Sequence, residues 1–383
     1  MKKNIKKIIF LLFFIFLKKY KFIFITPSIL GGLINLIYLK RNNKNVKIII
    51  DPFELFYKNK NVNLLIHKIA YKKLHGKKIN YLLNLIFYIY YRSAKHTDNL
   101  HKIRYKSYVH RDNEIYKYMS NQKDIHFDYE KNTNNSHIKN FLSKKYIIFH
   151  CRDSAYKKNT IKNFNFDYQN YRNEKLFTYE NALSKLNKNH EIIRFGSLSE
   201  QKCTNKKIFD YTHSKIRNEK NDLLLMKKCD LYDGTNSGPD ILAINFQRPI
   251  VYVNWLHIPN LYSFQNNTVV IFKKLFDENK NQFINFNKLL DLNFKLNNEK
   301  LPVSLFQDTA QFERNNLKVV DNTEEEIFHA VKEMLDFLDG KFSFNQELQL
   351  DFKKNFTKST GNKFSESFFI SEYFIKKNIS LFS

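Results

Sequence analysis

Cysteine is scarce in this chain and arranged in no usable pattern. Cys151, Cys203 and Cys229 are odd in number and none lies close to another. That argues against a disulfide framework and against a thiolate zinc site, and it fits a reducing cytoplasm. No stretch approaches the roughly 20 apolar residues that a membrane-spanning helix needs, because the amino-terminal apolar run ends at Leu17 after starting at Ile8. The KKYKFIF that follows offers none of the small residues of a secretory cleavage site. Dense basic runs interleaved with stacking aromatics, zinc-finger spacings and RNA-recognition aromatic motifs are also missing, which argues against nucleic acid as a partner. There is no internal repeat and no GxGxxG.

What is present is a foldable chain of 383 residues, 43% hydrophobic and 26% charged, long enough to favour two domains. Its net charge of +27 has two readings. It suits an anionic ligand such as a phosphorylated substrate, and it also suits a surface enriched in Lys by an A/T-rich genome, since Asn, Ile, Phe and Tyr are abundant as well. The opening MKKNIKKIIFLLFFIFLKKYK likewise supports two expectations: a helix lying on an anionic membrane surface, or a first helix packed on its own domain.

Along the chain, FIFIT at residues 22–26 and Val46 to Ile50 read as strands. Between them lie a turn at Pro27, Gly31 and Gly32 and an apolar helix from Leu33 to Leu39. Residues 61–92 read as helical core. The polar stretch Gln122 to Asn140 reads as an interdomain linker. Beyond it, apolar runs alternate with amphipathic segments. Strands are expected at Tyr146 to His150, Glu191 to Phe195, Asp230 to Tyr232 and Ile250 to Val253, with a further short run around Ile208 to Tyr211. Helices are expected at Glu174 to Leu186, Asp222 to Lys228 and Ile241 to Phe246. Such alternation implies an α/β fold with a parallel sheet, whose ligands bind beyond the strand carboxyl ends. The expected division is 1–20, a basic apolar segment; 21–140 and 141–340, two domains; and 341–383, a carboxyl-terminal extension.

Three constellations fall at those strand ends. In FHCRDSAY, His150, Arg152 and Asp153 follow a strand directly. The planar fork of Arg152 matches phosphate oxygens, and Asp153 could orient it or accept a proton; a surface salt bridge is the plain alternative. In DGTNSGPD, the backbone donors and the side chains of Thr235, Asn236 and Ser237, with Gly238, precede Pro239 at a helix start. That arrangement suits an anion or a ribose, or is simply a capped turn complicated by Asp233 and Asp240. The third supplies Arg172 and Asn173, then Arg194 and Ser197 in IIRFGS, either as ligands of a pyrophosphate or sugar or as ordinary surface charge.

In order, H-x-R-D-S-x-Y at 150–156, Arg172–Asn173, I-R-x-G-S at 193–197, Ser237–Gly238 and P-I-V-x-x-N at 249–254 resemble a bacterial family of glycosyltransferases recognised chiefly from sequence. DNTEEEIFHAVKEML resembles its closing helix. More distantly, the H-x-R segment is similar to that of fucosyltransferases of the two-domain GT-B fold. This chain departs from the pattern at Cys151, at Asp233 and at LGG near Gly31. The resemblance implies two Rossmann-like domains in a GT-B arrangement, 21–140 on the acceptor side and 141–340 binding the nucleotide sugar, and a nucleoside-diphosphate sugar as donor substrate. It implies Arg152 on the donor diphosphate without a metal or other cofactor, and His150 supporting the loop. Donor-binding candidates are therefore His150, Arg152, Arg172, Arg194, Ser197, Thr235, Asn236, Ser237 and Gly238, with Arg152 and Asp153 as catalytic candidates. The acceptor would be a surface glycan or lipid-linked sugar. The setting would be cytoplasmic, with peripheral contact at the inner face of the membrane. A noncatalytic nucleotide-sugar or glycan-binding protein of the same fold is the alternative.

Overall fold

In a computed structural model, residues 2–17, 20–25, 46–53, 64–75, 78–96, 132–160, 167–186, 189–297 and 299–382 are described. The chain divides into two compact units, Met1–Tyr118 and Met119–Ser383.

In the first unit, α1 (Lys2–Leu17) precedes a parallel pair, β1 (Lys21–Ile25) and β2 (Val46–Ile50), followed by α2 (Leu64–His75) and α3 (Tyr81–His96). An aromatic core joins them. Phe10 of α1 stacks on Tyr90 of α3 at 5.5 Å, and Phe24 of β1 stacks on Tyr91 at 5.5 Å. Asn84 of α3 both receives from the Ile50 amide and donates to the Ile50 carbonyl, which pairs the main chain at the end of β2. The amino-terminal helix therefore packs on its own unit through Phe10, while Ile5, Ile8, Leu11, Leu12 and Phe16 stay exposed. Among the described residues no helix is long and apolar enough to cross a membrane. The expected Gly31 turn and the helix after it lie outside the described residues.

The second unit opens with α4 (Ser136–Leu142), within the stretch read as linker. Asn135 caps it by accepting from the Ile138 amide, and Ile138 and Phe141, three apart on one face, are buried. Then come β3 (Tyr146–His150), α5 (Ala155–Thr160), a 3-10 turn at Asp167–Arg172, α6 (Leu176–Ser184), β4 (Glu191–Arg194), β5 (Ile208–Asp210), α7 (Glu219–Lys228), β6 (Leu231–Gly234), α8 (Asp240–Asn245), β7 (Ile250–Trp255) and β8 (Thr268–Phe272). A short antiparallel sheet of β9 (Lys274–Asp277), β10 (Gln282–Phe283) and β11 (Leu317–Val320) follows, with α9 (Phe286–Leu290) and α10 (Thr309–Glu313) between its strands. The chain closes with α11 (Glu324–Leu338), α12 (Gln346–Thr360), β12 (Phe368–Ile370) and α13 (Glu372–Lys377).

Seven strands form one parallel sheet in the order β12-β8-β7-β6-β3-β4-β5, so the α/β expectation holds. Central strands are buried on both faces, and their residues are accordingly apolar without alternation: Ile147, Ile148, Ile193, Val251, Val253, Val269 and Val270 have no exposed surface. The final helix of the family resemblance is α11. Its capping box joins Thr323 and Glu326, and Ile327, Ala330, Val331 and Met334 are fully buried. Residues 341–383, expected as an extension, instead supply an edge of the sheet. β12 pairs with β8, and Phe344 stacks on Phe369 at 4.1 Å.

Candidate anion site at the sheet's carboxyl edge

Because β3, β4, β6 and β7 are parallel neighbours, the turns after them leave the same edge. His150 ties three of these turns together. Its Nδ1 lies 2.9 Å from the Phe195 carbonyl, which only accepts, so Nδ1 carries the proton and Nε2 is left to accept from the Ser237 hydroxyl at 3.0 Å. Burial holds the imidazole down to about 4, against the Phe195 hydrogen bond and Asp153, which pull the other way. It is thus neutral at physiological pH. Gly196 lies beside it: a Cβ there would meet His150 Nδ1 at 3.5 Å, an ordinary contact, and Thr212 Oγ1 at a tighter 3.2 Å.

Arg152 is 7% exposed, and its guanidinium turns toward the 3-10 turn. Nη1 donates to Asn173 Oδ1 at 2.7 Å and to the Gln169 carbonyl at 3.4 Å; Nη2 donates to Gln169 Oε1 at 3.2 Å. The Lys157 ammonium donates to the same Gln169 oxygen, and Arg172 donates to the Asn236 carbonyl. Every acceptor in this set is neutral. Burial first, then Arg172, brings Arg152 down to about 10, and burial, Arg152 and Arg172 bring Lys157 down to about 7. Three cations are thus grouped at this edge of the sheet, and an anion there would offset their repulsion.

Glu174 fastens the Arg152 main chain. Its amide donates to the Arg152 carbonyl at 3.0 Å, and its Oε2 accepts from the Arg152 amide at 3.0 Å. Burial pushes this carboxyl up to about 7, although Lys273 opposes the shift. Lys273 in turn donates to the carbonyls of Tyr171 and Asn173 and pairs with Asp321 at 2.8 Å, fixing the segment that carries Arg172. Asp233 lies wholly buried at the end of β6, with both carboxyl oxygens lacking a partner among the described residues, and burial raises its pKa strongly.

The remaining sequence candidates take different places. Asp153 accepts from the amides of Ala155 and Glu200 and from the Ser199 hydroxyl, strapping the turn after β3 to the segment after β4. Arg194, 2% exposed, belongs to that strap. It pairs with Asp210 at 3.4 Å and donates to the Gln201 carbonyl and the Ser199 hydroxyl, and none of these bonds joins it to the Arg152 group. Ser197 is half-buried in the same turn. Thr235 is buried and donates to the Asn254 carbonyl at 3.4 Å. Asn254, whose φ of 53° lies in the left-handed region that Asn tolerates, exchanges main-chain and side-chain bonds of 2.6 Å with Asn322.

The helix start after the DGTNSG turn differs from the expected anion cradle. The Ser237 amide is taken by Asp240 Oδ2 at 2.8 Å, and the Gly238 carbonyl accepts from Ile241. A wholly buried carboxyl group already fills the place where an anion would meet that amide. Asp240 also accepts from the Tyr232 hydroxyl at 2.8 Å, and burial pushes it up to about 8. What the turn offers the cation group is the Asn236 carbonyl and the Ser237 hydroxyl. Lys157, Gln169, Glu174 and Lys273 were not among the sequence candidates. Lys157 follows H-x-R-D-S-x-Y directly and Glu174 follows Arg172–Asn173 directly, and these adjacencies are the signals the sequence carried for them.

No family model matches the chain, and no curated protein does. Among solved structures it is similar to the E. coli ADP-heptose LPS heptosyltransferase II, with 13% sequence identity and a TM-score of 0.33 over 66% of this chain and 90% of that chain.

Proposed function

We propose that the chain is a glycosyltransferase of the two-domain GT-B type, moving a sugar from a nucleoside-diphosphate donor to a glycan or lipid-linked acceptor. The observation that carries the reading is the grouping of Arg152, Arg172 and Lys157 at the carboxyl edge of a parallel sheet. This is where ligands bind in such sheets. In this reading the donor diphosphate lies against the three cations. Charge that develops on the leaving diphosphate meets positive groups already oriented by hydrogen bonds, with Arg152 buried among them, so little reorganisation opposes the transition state. No metal is required for that step, because the side chains supply the counter-charge. His150, neutral and bonded on both nitrogens, holds the Ser237 turn rather than exchanging protons.

Asp153 is the carboxylate proposed to take the acceptor proton. To do so it must release Ser199 or Glu200, both of which it now binds. That engagement is the observation favouring the second reading, a nucleotide-sugar-binding protein without transfer. The full-length chain, screened against uridine, guanosine and adenosine diphosphate sugars, separates the two. A donor at about 100 times its dissociation constant should add about 2.7 kcal/mol to native stability and be consumed when acceptor is supplied. Stabilisation without transfer or hydrolysis supports the binding protein. Arg152→Ala should abolish turnover, and near-normal turnover in that variant would sink the assignment.

A further inference from the structure

From Ile8 to Leu17, α1 contains no polar residue, so this part of the helix is apolar around its whole circumference. A helix of that kind is normally covered on every side. The first unit covers one side. Phe10 is buried with Phe22, Ile49 and Tyr90, and Phe13, Phe14 and Leu17 pack against the same cluster. Ile5, Ile8, Leu12 and Phe16, spaced three and four apart, share the opposite face and stay exposed, as does Leu11 beside them. Phe16 is 75% exposed and Leu12 63%. α3, whose Tyr90 stacks on Phe10, adds exposed Leu82, Leu85 and Ile89, again three and four apart.

The charge around this face selects what covers it. Seven lysines occur by position 21, and no Asp or Glu precedes Asp51. A second copy docked face to face would bring these lysines against their own kind. An anionic lipid surface suits both features: its head groups attract the ammonium ions, and the boundary with the acyl chains takes up Ile, Leu and Phe. The sixteen residues of α1 span about 24 Å, short of the roughly 30 Å of a hydrocarbon core, so the helix suits the plane of the surface. We propose that α1 is an in-plane anchor whose Ile5, Leu12 and Phe16 face docks on a bilayer containing anionic phospholipid. The inference rests on the first unit and not on the donor reading.

The test is sedimentation of the full chain with vesicles of phosphatidylcholine, or of phosphatidylcholine and phosphatidylglycerol in equal parts. Wild type should bind the mixed vesicles at least about tenfold more strongly. Leu12→Gln with Phe16→Gln leaves every charge in place and keeps good helix formers. It should lose about tenfold or more of that binding. Leu12→Met with Phe16→Leu, which stays apolar, should bind within about twofold of wild type. Lys6→Gln with Lys7→Gln keeps the apolar face and should lose about tenfold on mixed vesicles alone.

Undiminished binding of the Leu12→Gln, Phe16→Gln variant would mean adsorption through general positive charge and overturns the proposal. Equal binding of wild type to both vesicles overturns it, as does no binding. A dimer in light scattering that the same variant dissociates, without vesicle binding, assigns the face to a second copy instead. Unfolding midpoints are measured alongside, and if that variant is destabilised the apolar and lysine pairs decide. Vesicle binding by a wild type that binds no nucleotide sugar upholds the anchor and overturns the donor reading alone.

Discussion

Replacing Gly234 by alanine tests how tightly the turn at the end of β6 is built. An ideal Cβ there would stand 2.5 Å from Tyr232 Oη and 2.8 and 2.9 Å from two ring carbons, about 1 Å inside the optimum separation for carbon contacts. Tyr232 has no exposed surface, so its ring must press into the packed interior, at about 1–3 kcal/mol for overpacking. If the phenol leaves Asp240, a carboxyl oxygen loses its 2.8 Å donor in a wholly buried place, adding about 1–3 kcal/mol. Gly234→Ala should therefore destabilise the second unit by about 2–6 kcal/mol. Urea unfolding followed by the fluorescence of Trp255 is the assay, since this is the chain's single tryptophan, buried in the neighbouring strand β7. Adding Tyr232→Phe removes the nearest clashing atom, so the double variant should be less destabilised than the sum of the two single ones. A loss under about 0.5 kcal/mol, within the usual range for innocuous substitutions, would refute the reasoning.

Three other outcomes are expected. Asp240 is raised from 3.8 to about 8 by burial, so the folded state prefers it protonated and loses stability as pH rises through that interval. Asp240→Asn should gain on wild type by a few kcal/mol between pH 5 and pH 8.5 at about 1.4 kcal/mol per pKa unit, and parallel urea midpoints would contradict this. His150 has the opposite sign: lowered from 6.5 to about 4 by burial, it contributes stability above its unfolded pKa that is lost as pH falls toward 4. His150→Gln should flatten that acid slope by roughly 3 kcal/mol, and an unchanged slope in denaturation series from pH 7 to 4 would count against it. Lys274 pairs at 2.7 Å with the wholly buried Glu326, and Lys274→Met, which strands that carboxylate, should cost about 3–5 kcal/mol in the same assay.

The parallel sheet and its crowded edge were legible because strands buried on both faces need uninterrupted apolar runs. Tyr146–His150 and Val46–Ile50 fall where the sequence placed them, and α6 and α7 lie within a few residues of their expected ends. Arg194 shows what local reading misses. Its partner Asp210 stands at the end of the adjacent strand, a neighbour that only sheet order reveals. Lys273 is farther still, about a hundred residues along the chain from the Tyr171 and Asn173 carbonyls it holds. The stretch read as linker concealed a helix because Asn135, polar and apparently loop-forming, is its cap. Residues 341–383 were expected as an extension because nothing local shows that β12 pairs with β8, a partner about a hundred residues earlier in the chain.

The imidazole that reaches from Phe195 to Ser237 sets a rule for substitution. A hydroxyl lost at 237 leaves Nε2 without its donor, and a side chain at 150 that cannot span both turns gives up the Phe195 and Ser237 bonds together. Divergent copies of this chain should therefore exchange positions 150 and 237 in concert, although they lie on separate turns 87 residues apart.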